Sequence, residues 1–143
     1  FYLGESFMNV PLLVDCIRHC KQIGFPYVFL TTNGSLATPE AVRACMDAGL
    51  DSLKFSVNAA DEAQFREVMG VKTGLFRDAL ANIKEARKVR DDGGYKCGLY
   101  ASSIRYDGEQ QAKMEALLDE RVRPYVDQSY WLPLYHAMNA SIE

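Results

Sequence analysis

The amino-acid sequence predicts an α/β fold, in which helices cover a sheet of parallel strands. Tyr27-Val28-Phe29-Leu30 is an unbroken apolar run, and such a run is typical of a strand that is buried on both faces. Segments with strand and helix patterns alternate along the whole chain in the order β-α-β-α-β-α-β-α-β, with no low-complexity linker between them. This pattern fits a barrel arc and a doubly wound sheet equally well.

The first half of the chain contains three predicted strands. Residues 1–3 are expected to end the first strand, and residues 11–23 are expected to form a helix with Pro11 in its first turn. The second strand begins at Tyr27. Thr38 has the residue type of an N-cap, so the next helix is expected to begin there and to end at Gly49. Residues 53–57 form the third predicted strand.

The second half continues the alternation. Asp61 is expected to cap a short helix that runs to Val68, and a long helix is predicted over residues 75–90. A fourth strand over residues 95–104 and a helix over residues 110–122 follow. Residues 130–135 have the pattern of a last strand, in which Pro133 indicates a strand end or a sheet edge.

Composition excludes several classes of protein. The net charge of −3 gives no basic patch for nucleic acid, and no apolar run reaches the roughly 20 residues of a membrane span. The chain opens in the middle of a strand pattern, with no signal peptide, so we expect a piece of a longer cytoplasmic protein. We expect its four cysteines to be reduced, mostly in the core: Cys16, Cys20, Cys45 and Cys97.

Small polar residues follow each predicted strand. Because ligands bind at the carboxyl ends of parallel strands, these residues predict a binding site for an uncharged or zwitterionic small molecule. The sequence shows no nucleophile–base pair there, and His19 and His136 are expected on the surface or in packing. The polar groups are Gly4, Glu5 and Ser6 after the first strand, Thr32, Asn33 and Gly34 after the second, Ser56 and Asn58 after the third, and Ser102 and Ser103 after the fourth.

The order and spacing of Gly4-Glu5-Ser6, Thr32-Asn33-Gly34 and Ser56-Val57-Asn58 resemble the radical S-adenosylmethionine (SAM) superfamily. The resemblance spans residues 1–143, as one domain that corresponds to the family's second to sixth strands. It implies a partial (β/α) barrel, an incomplete form of the TIM-type barrel. It also implies that SAM and a [4Fe–4S] cluster bind at the carboxyl ends of the strands.

The resemblance also implies roles for particular residues. Gly4-Glu5-Ser6 matches the family's Gly-Glu-Pro motif, which holds the amino group of SAM, with Ser6 in place of proline. Ser56 and Asn58 match a Ser-x-Asp pattern that contacts SAM, with Asn58 in place of aspartate. Met69-Gly70 stands where many members have Arg-Gly. The cofactor-binding residues expected on these grounds are Gly4, Glu5, Ser6, Asn33, Ser56, Asn58 and Ser102.

The family's Cys-x3-Cys-x2-Cys cluster motif is absent from this chain and is expected upstream of Gly4. Cys16 and Cys20 imitate half of it, but Ile23 follows and the pair lies on a helix, so no metal ligand is assigned. We therefore expect the chain alone to be inactive. The segment from Trp131 to Tyr135 resembles the last barrel strand of members that continue into a domain with auxiliary clusters.

The resemblance implies an enzyme in which the reduced cluster cleaves SAM and the 5′-deoxyadenosyl radical abstracts hydrogen from a small-molecule or peptide substrate. Two alternatives remain open from the residues. A metal-free lyase or aldolase needs a lysine at a strand end, whereas Lys54 lies inside a predicted strand and Lys96 near the start of one. A flavodoxin-like binding module needs paired acidic residues after the first strand, where Glu5 stands alone.

Overall fold

The computed structural model describes residues 4–70 and 74–132. Four strands form one parallel sheet, in the same order in space as along the chain. This sequential order is that of a barrel arc, because a doubly wound sheet would reverse around a central strand. The strand predicted at residues 1–3 lies outside the described residues. The strands are Phe29–Thr32 (β1), Ser52–Ser56 (β2), Gly98–Ile104 (β3) and Gln128–Leu132 (β4).

Two helices begin at the N-caps that the sequence predicts, Thr38 and Asp61, whereas the N-cap Asn9 was not predicted and the last helix begins at Gly108, two residues before its predicted start. The side chains of Asn9, Thr38 and Asp61 each accept a hydrogen bond from the backbone N–H three residues later, which caps the first three helices. No helix in the described ranges is long and apolar enough to cross a membrane. The helices are Val10–Gln22 (α1), Pro39–Asp47 (α2), Glu62–Met69 (α3), Leu75–Gly93 (α4) and Gly108–Arg121 (α5), with short 3-10 helices at Ser6–Asn9 and Arg123–Tyr125.

Helix α4 continues about one turn beyond the predicted end at Arg90. Two ion pairs with i,i+4 spacing support this turn, Arg87 with Asp91 and Lys88 with Asp92. Gly94, which has a positive φ of 64°, then ends the helix.

The two faces of the sheet differ in burial. Side chains on one face, including Leu30, Leu53, Phe55 and Leu99, are fully buried in the hydrophobic core that the sheet shares with the helices. The other face alternates with it along each strand, and we call it the open face: Phe29, Thr31, Ser52, Lys54, Ser56, Tyr100, Ser102, Gln128 and Tyr130. The prediction that the run from Tyr27 is buried on both faces is therefore wrong. Tyr27 is 56% exposed and Phe29 is 42% exposed, because the helices cover one side only.

The cysteines fall into two classes. Cys45 and Cys97 are buried, and burial raises the pKa of each thiol to about 12. On α1 the buried stripe is narrower than predicted, because Leu13 and Ile17 are buried whereas Cys16 and Cys20 are half-buried. His19 is exposed on the same helix, as predicted. His136, Pro133 and Tyr135 lie outside the described residues.

Candidate functional site

A cleft of about 340 Å³ lies at the carboxyl edge of the sheet. This volume is in the range of small-molecule sites in proteins. Five of the seven residues predicted to bind a cofactor line the cleft, whereas Ser6 and Ser102 lie beside it. The lining residues are Gly4, Glu5, Thr31, Thr32, Asn33, Ser56 and Asn58.

The carboxylate of Glu5 joins the first two loops of the cleft. Its Oε1 accepts hydrogen bonds from the Thr32 hydroxyl at 2.7 Å and from the Phe7 backbone N–H at 3.2 Å. Its Oε2 accepts from the Asn33 backbone N–H at 3.0 Å. Ser6 adds a weaker link, because its hydroxyl donates to the Thr31 carbonyl at 3.3 Å. Both oxygens of Glu5 are thus engaged within the protein, and its side chain positions the loops.

The loop after β1 is held from three sides. Asn33 Oδ1 accepts from the backbone N–H and the hydroxyl of Ser35, at 2.8 and 2.6 Å, which closes a tight turn. Gly34 has a φ of 86°, and a Cβ at this position would approach Phe55 to 3.3 Å. From α4, Asn82 Nδ2 donates to the Gly34 carbonyl at 2.8 Å. The segment is therefore a turn, and the turn lies at the candidate site.

Asn58 connects the ends of β2 and β3. Its Oδ1 accepts from the Ile104 backbone N–H at 3.1 Å, and its carbonyl accepts from the Tyr106 hydroxyl at 2.6 Å. The side-chain oxygen is therefore used in the fold. The Nδ2 amide is the donor that this residue retains for a ligand.

Two hydroxyls near the cleft are buried without a partner. In the part of the chain that the structure describes, Thr31 Oγ1 and Ser102 Oγ make no hydrogen bond. Ser102 is only 1% exposed and pairs in register with Ser56 on the open face. A buried hydroxyl without a partner is unfavourable, so these two groups are suited to bond a ligand. Thr31 is not among the cofactor-binding residues that the sequence predicted, although strict alternation from Leu30 places it on the face opposite the core.

A family model described as the "Radical SAM superfamily" matches residues 1–100. The chain belongs to the radical SAM superfamily. A protein of Sulfolobus acidocaldarius described as "Probable GTP 3',8-cyclase" is 36% identical over 77 residues, which cover 54% of this chain and 24% of that protein. A protein of Methanocaldococcus jannaschii is 31% identical over 85 residues, 59% of this chain and 29% of that protein. This radical SAM chain thus spans about a quarter of the length of these relatives.

Solved structures show the same fold. A domain of the pyruvate-formate lyase-activating enzyme from Bacteroides vulgatus superposes with a TM-score of 0.68 at 20% identity, over 96% of this chain and 80% of that chain. Streptococcus suis SuiB bound to S-adenosylmethionine superposes with a TM-score of 0.64 at 15% identity, over 94% of this chain and 29% of that one. At these identities the likeness concerns the fold. Family membership excludes the aldolase and flavodoxin-like alternatives.

Members of the superfamily are enzymes that use SAM together with a [4Fe–4S] cluster. The hydroxyl of Thr31 in the cleft and that of Ser102 beside it have no partner among the described residues, and hydroxyls are chemically suited to bond the polar groups of SAM. The described residues provide no comparable set of ligands for the cluster. Within ranges 4–70 and 74–132, no group of three or more Cys, His, Asp or Glu side chains is placed to hold a metal ion.

Proposed function

We propose that residues 1–143 form the SAM-binding core of a radical SAM enzyme, equivalent to the family's second to sixth strands. The match to the family model supports this proposal. So does a ligand-sized cleft at the carboxyl edge of the sheet, with unpaired buried hydroxyls beside it. When bound, the cluster and SAM supply a 5′-deoxyadenosyl radical that abstracts a hydrogen atom from the substrate. The enzyme would act in the cytoplasm on a small molecule or a peptide.

We assign different parts of SAM to different residues of the cleft. We assign the ammonium group of SAM to backbone carbonyls of the loop at Gly4, because the Glu5 carboxylate is engaged by Thr32 and Asn33. Ser56 has no hydrogen bond within the described residues, so its hydroxyl is free to bond SAM. The Nδ2 amide of Asn58 is a second donor at the same strand end.

We assign the ligands of the cluster to a segment outside the described residues. Cys45 and Cys97 are unsuitable, because a thiol with a pKa near 12 stays protonated, and iron is bound by thiolate. Cys16 and Cys20 supply two thiols on one helix, where three cysteines are needed. An auxiliary-cluster domain that follows Trp131 would fit this arrangement.

Calorimetric titration of the intact protein with SAM tests the proposal. Ser56→Ala removes one hydrogen bond and should weaken SAM binding by about 1 kcal/mol, or roughly fivefold. Ser129→Ala is the control, because Ser129 lies on the helix-covered face of β4, where its hydroxyl accepts a hydrogen bond from Arg123 Nε at 3.3 Å and is not directed to the proposed SAM site. Equal SAM affinity in the wild type and Ser56→Ala would remove Ser56 from the site, and the absence of SAM binding by the wild type would refute the proposed function.

A further inference from the structure

A second cleft, of about 300 Å³, lies on the open face of the sheet. It shares no lining residue with the cleft at the carboxyl edge. Its walls are mainly aromatic, formed by Tyr27, Phe29, Tyr100 and Tyr130. Among the described residues, Lys54 is the one charged side chain that lines it. Small-molecule sites in proteins are typically lined by apolar and aromatic side chains with a few polar or charged groups, and this cleft has that composition.

Lys54 has no partner within the described residues. None of the hydrogen bonds or ion pairs of residues 4–70 and 74–132 involves its ammonium group. The neighbouring carboxylate in the sequence, Asp51, is already engaged by Lys21 at 2.9 Å and by the Val28 backbone N–H at 2.7 Å. A half-buried ammonium group without a counterion is suited to bind an anion.

The register of the strands places Lys54 next to the proposed SAM site. Thr31, Lys54, Tyr100 and Gln128 lie side by side across the four strands of the open face. Ser56 lies two residues further along β2, which is about 7 Å closer to the carboxyl edge. A molecule that contacts Lys54 would therefore lie directly beside SAM.

We propose that Lys54 binds the carboxylate or phosphate group of the enzyme's substrate, with an aromatic or apolar part of the substrate against the tyrosine rings. This inference rests on the proposed function, since it assumes that SAM occupies the neighbouring cleft. It narrows the substrate to anionic molecules.

The alternative is that Lys54 binds no ligand and extends its ammonium group into water while its aliphatic stem covers apolar surface. This alternative predicts no preference for anions and no effect of the charge on ligand binding. Binding experiments with simple aromatic anions separate the two cases.

The experiment titrates the intact protein with phenyl phosphate, phenylacetate and uncharged phenol, in the presence and absence of SAM. Lys54→Met should weaken binding of at least one anion about tenfold or more, which is typical of the loss of a charge-assisted hydrogen bond. Lys54→Arg should retain binding within about threefold, because the charge is kept. Lys113→Met removes one exposed positive charge from α5 and controls for the change in net charge.

The expected result is anion binding that depends on Lys54, with phenol affinity and SAM affinity unchanged in Lys54→Met. Two results would overturn the proposal: wild-type protein that does not prefer the anions to phenol, or equal anion affinity in Lys54→Met and Lys113→Met. Loss of SAM affinity in Lys54→Met would also overturn it, because the anion bound would then be the carboxylate of SAM. Failure of wild-type protein to bind SAM refutes the proposed function separately.

Discussion

Two buried hydroxyls, those of Thr32 on β1 and Ser102 on β3, should affect stability differently when they are removed. Thr32 is 2% exposed and Ser102 is 1% exposed, so burial is matched. Thr32 Oγ1 donates to Glu5 at 2.7 Å and accepts from the Gly34 N–H at 3.0 Å, whereas Ser102 Oγ makes no hydrogen bond within the described residues. The comparison of Thr32→Val with Ser102→Ala therefore contrasts a buried hydroxyl that has partners with one that has none among the described residues.

The magnitudes follow from these contacts. Thr32→Val removes one hydrogen bond to a charged acceptor and one to a backbone donor, and should lower the free energy of unfolding by about 2–4 kcal/mol. Ser102→Ala removes a buried hydroxyl whose burial without a partner costs about 1–3 kcal/mol. Part of that gain is offset by the small cavity left behind. We expect Ser102→Ala to leave the free energy of unfolding unchanged or to raise it by about 1 kcal/mol.

The same substitution should weaken the ligand complex. If Ser102 bonds a ligand on the open face, Ser102→Ala should lower affinity for that ligand by about 1–2 kcal/mol, or roughly fivefold to thirtyfold. Urea denaturation measures stability, and titration with SAM and with aromatic anions measures binding. A loss of stability above about 1 kcal/mol in Ser102→Ala would show that the hydroxyl has an internal partner. Wild-type affinity of Ser102→Ala for both SAM and the aromatic anions would show that Ser102 does not contact either ligand.

Two further predictions concern the loops and the core. Glu5→Gln leaves one acceptor oxygen for three donors, so it should lower the free energy of unfolding by about 1–3 kcal/mol, as urea denaturation would show. A change below about 0.5 kcal/mol would mean that other contacts hold the loops. Cys45 and Cys97 should resist alkylation in the native state, while the two half-buried cysteines of α1 react, as mass spectrometry would show. Because burial raises the pKa of both buried thiols to about 12, the unfolded chain loses these protons first. The stabilisation that these thiols give should therefore be fully present below about pH 9 and should be lost as the pH rises towards 12. A constant unfolding midpoint over that interval would contradict the raised pKa of the two buried thiols.

The sequence predicted the features that depend on local pattern. The alternation of strands and helices and the caps at Thr38 and Asp61 follow from residue type and spacing, and the structure contains them. The burial of the run from Tyr27 was predicted wrongly, because an apolar run gives no information on which side of a sheet the helices pack. Phe29 and Tyr27 line a cleft on the side opposite the helices.

The hydrogen-bond partners of the site residues also could not be predicted from the sequence. Glu5 and Asn58 have the residue types of ligand-binding groups, and both lie at the predicted place. Their side-chain oxygens are nevertheless used by backbone groups that are distant in the chain: Asn33, 28 residues after Glu5, and Ile104, 46 residues after Asn58. Such pairings depend on how the strands are brought together, which no local pattern determines.

The side chains around the site differ in whether they have hydrogen-bond partners within the protein. The groups that build the loops, above all the carboxylate of Glu5, already have partners, so replacing them should disturb the fold as well as binding. Within the described residues, no hydrogen bond is made by these four side chains on the open face: Thr31, Lys54, Ser56 and Ser102. Substitutions among these four side chains should alter ligand binding with little effect on stability, because none of them makes a hydrogen bond to another described residue. We therefore expect ligand binding to respond mainly to substitutions on the open face, and stability to respond mainly to substitution of Glu5, whose hydrogen bonds hold the loops at the carboxyl edge of the sheet.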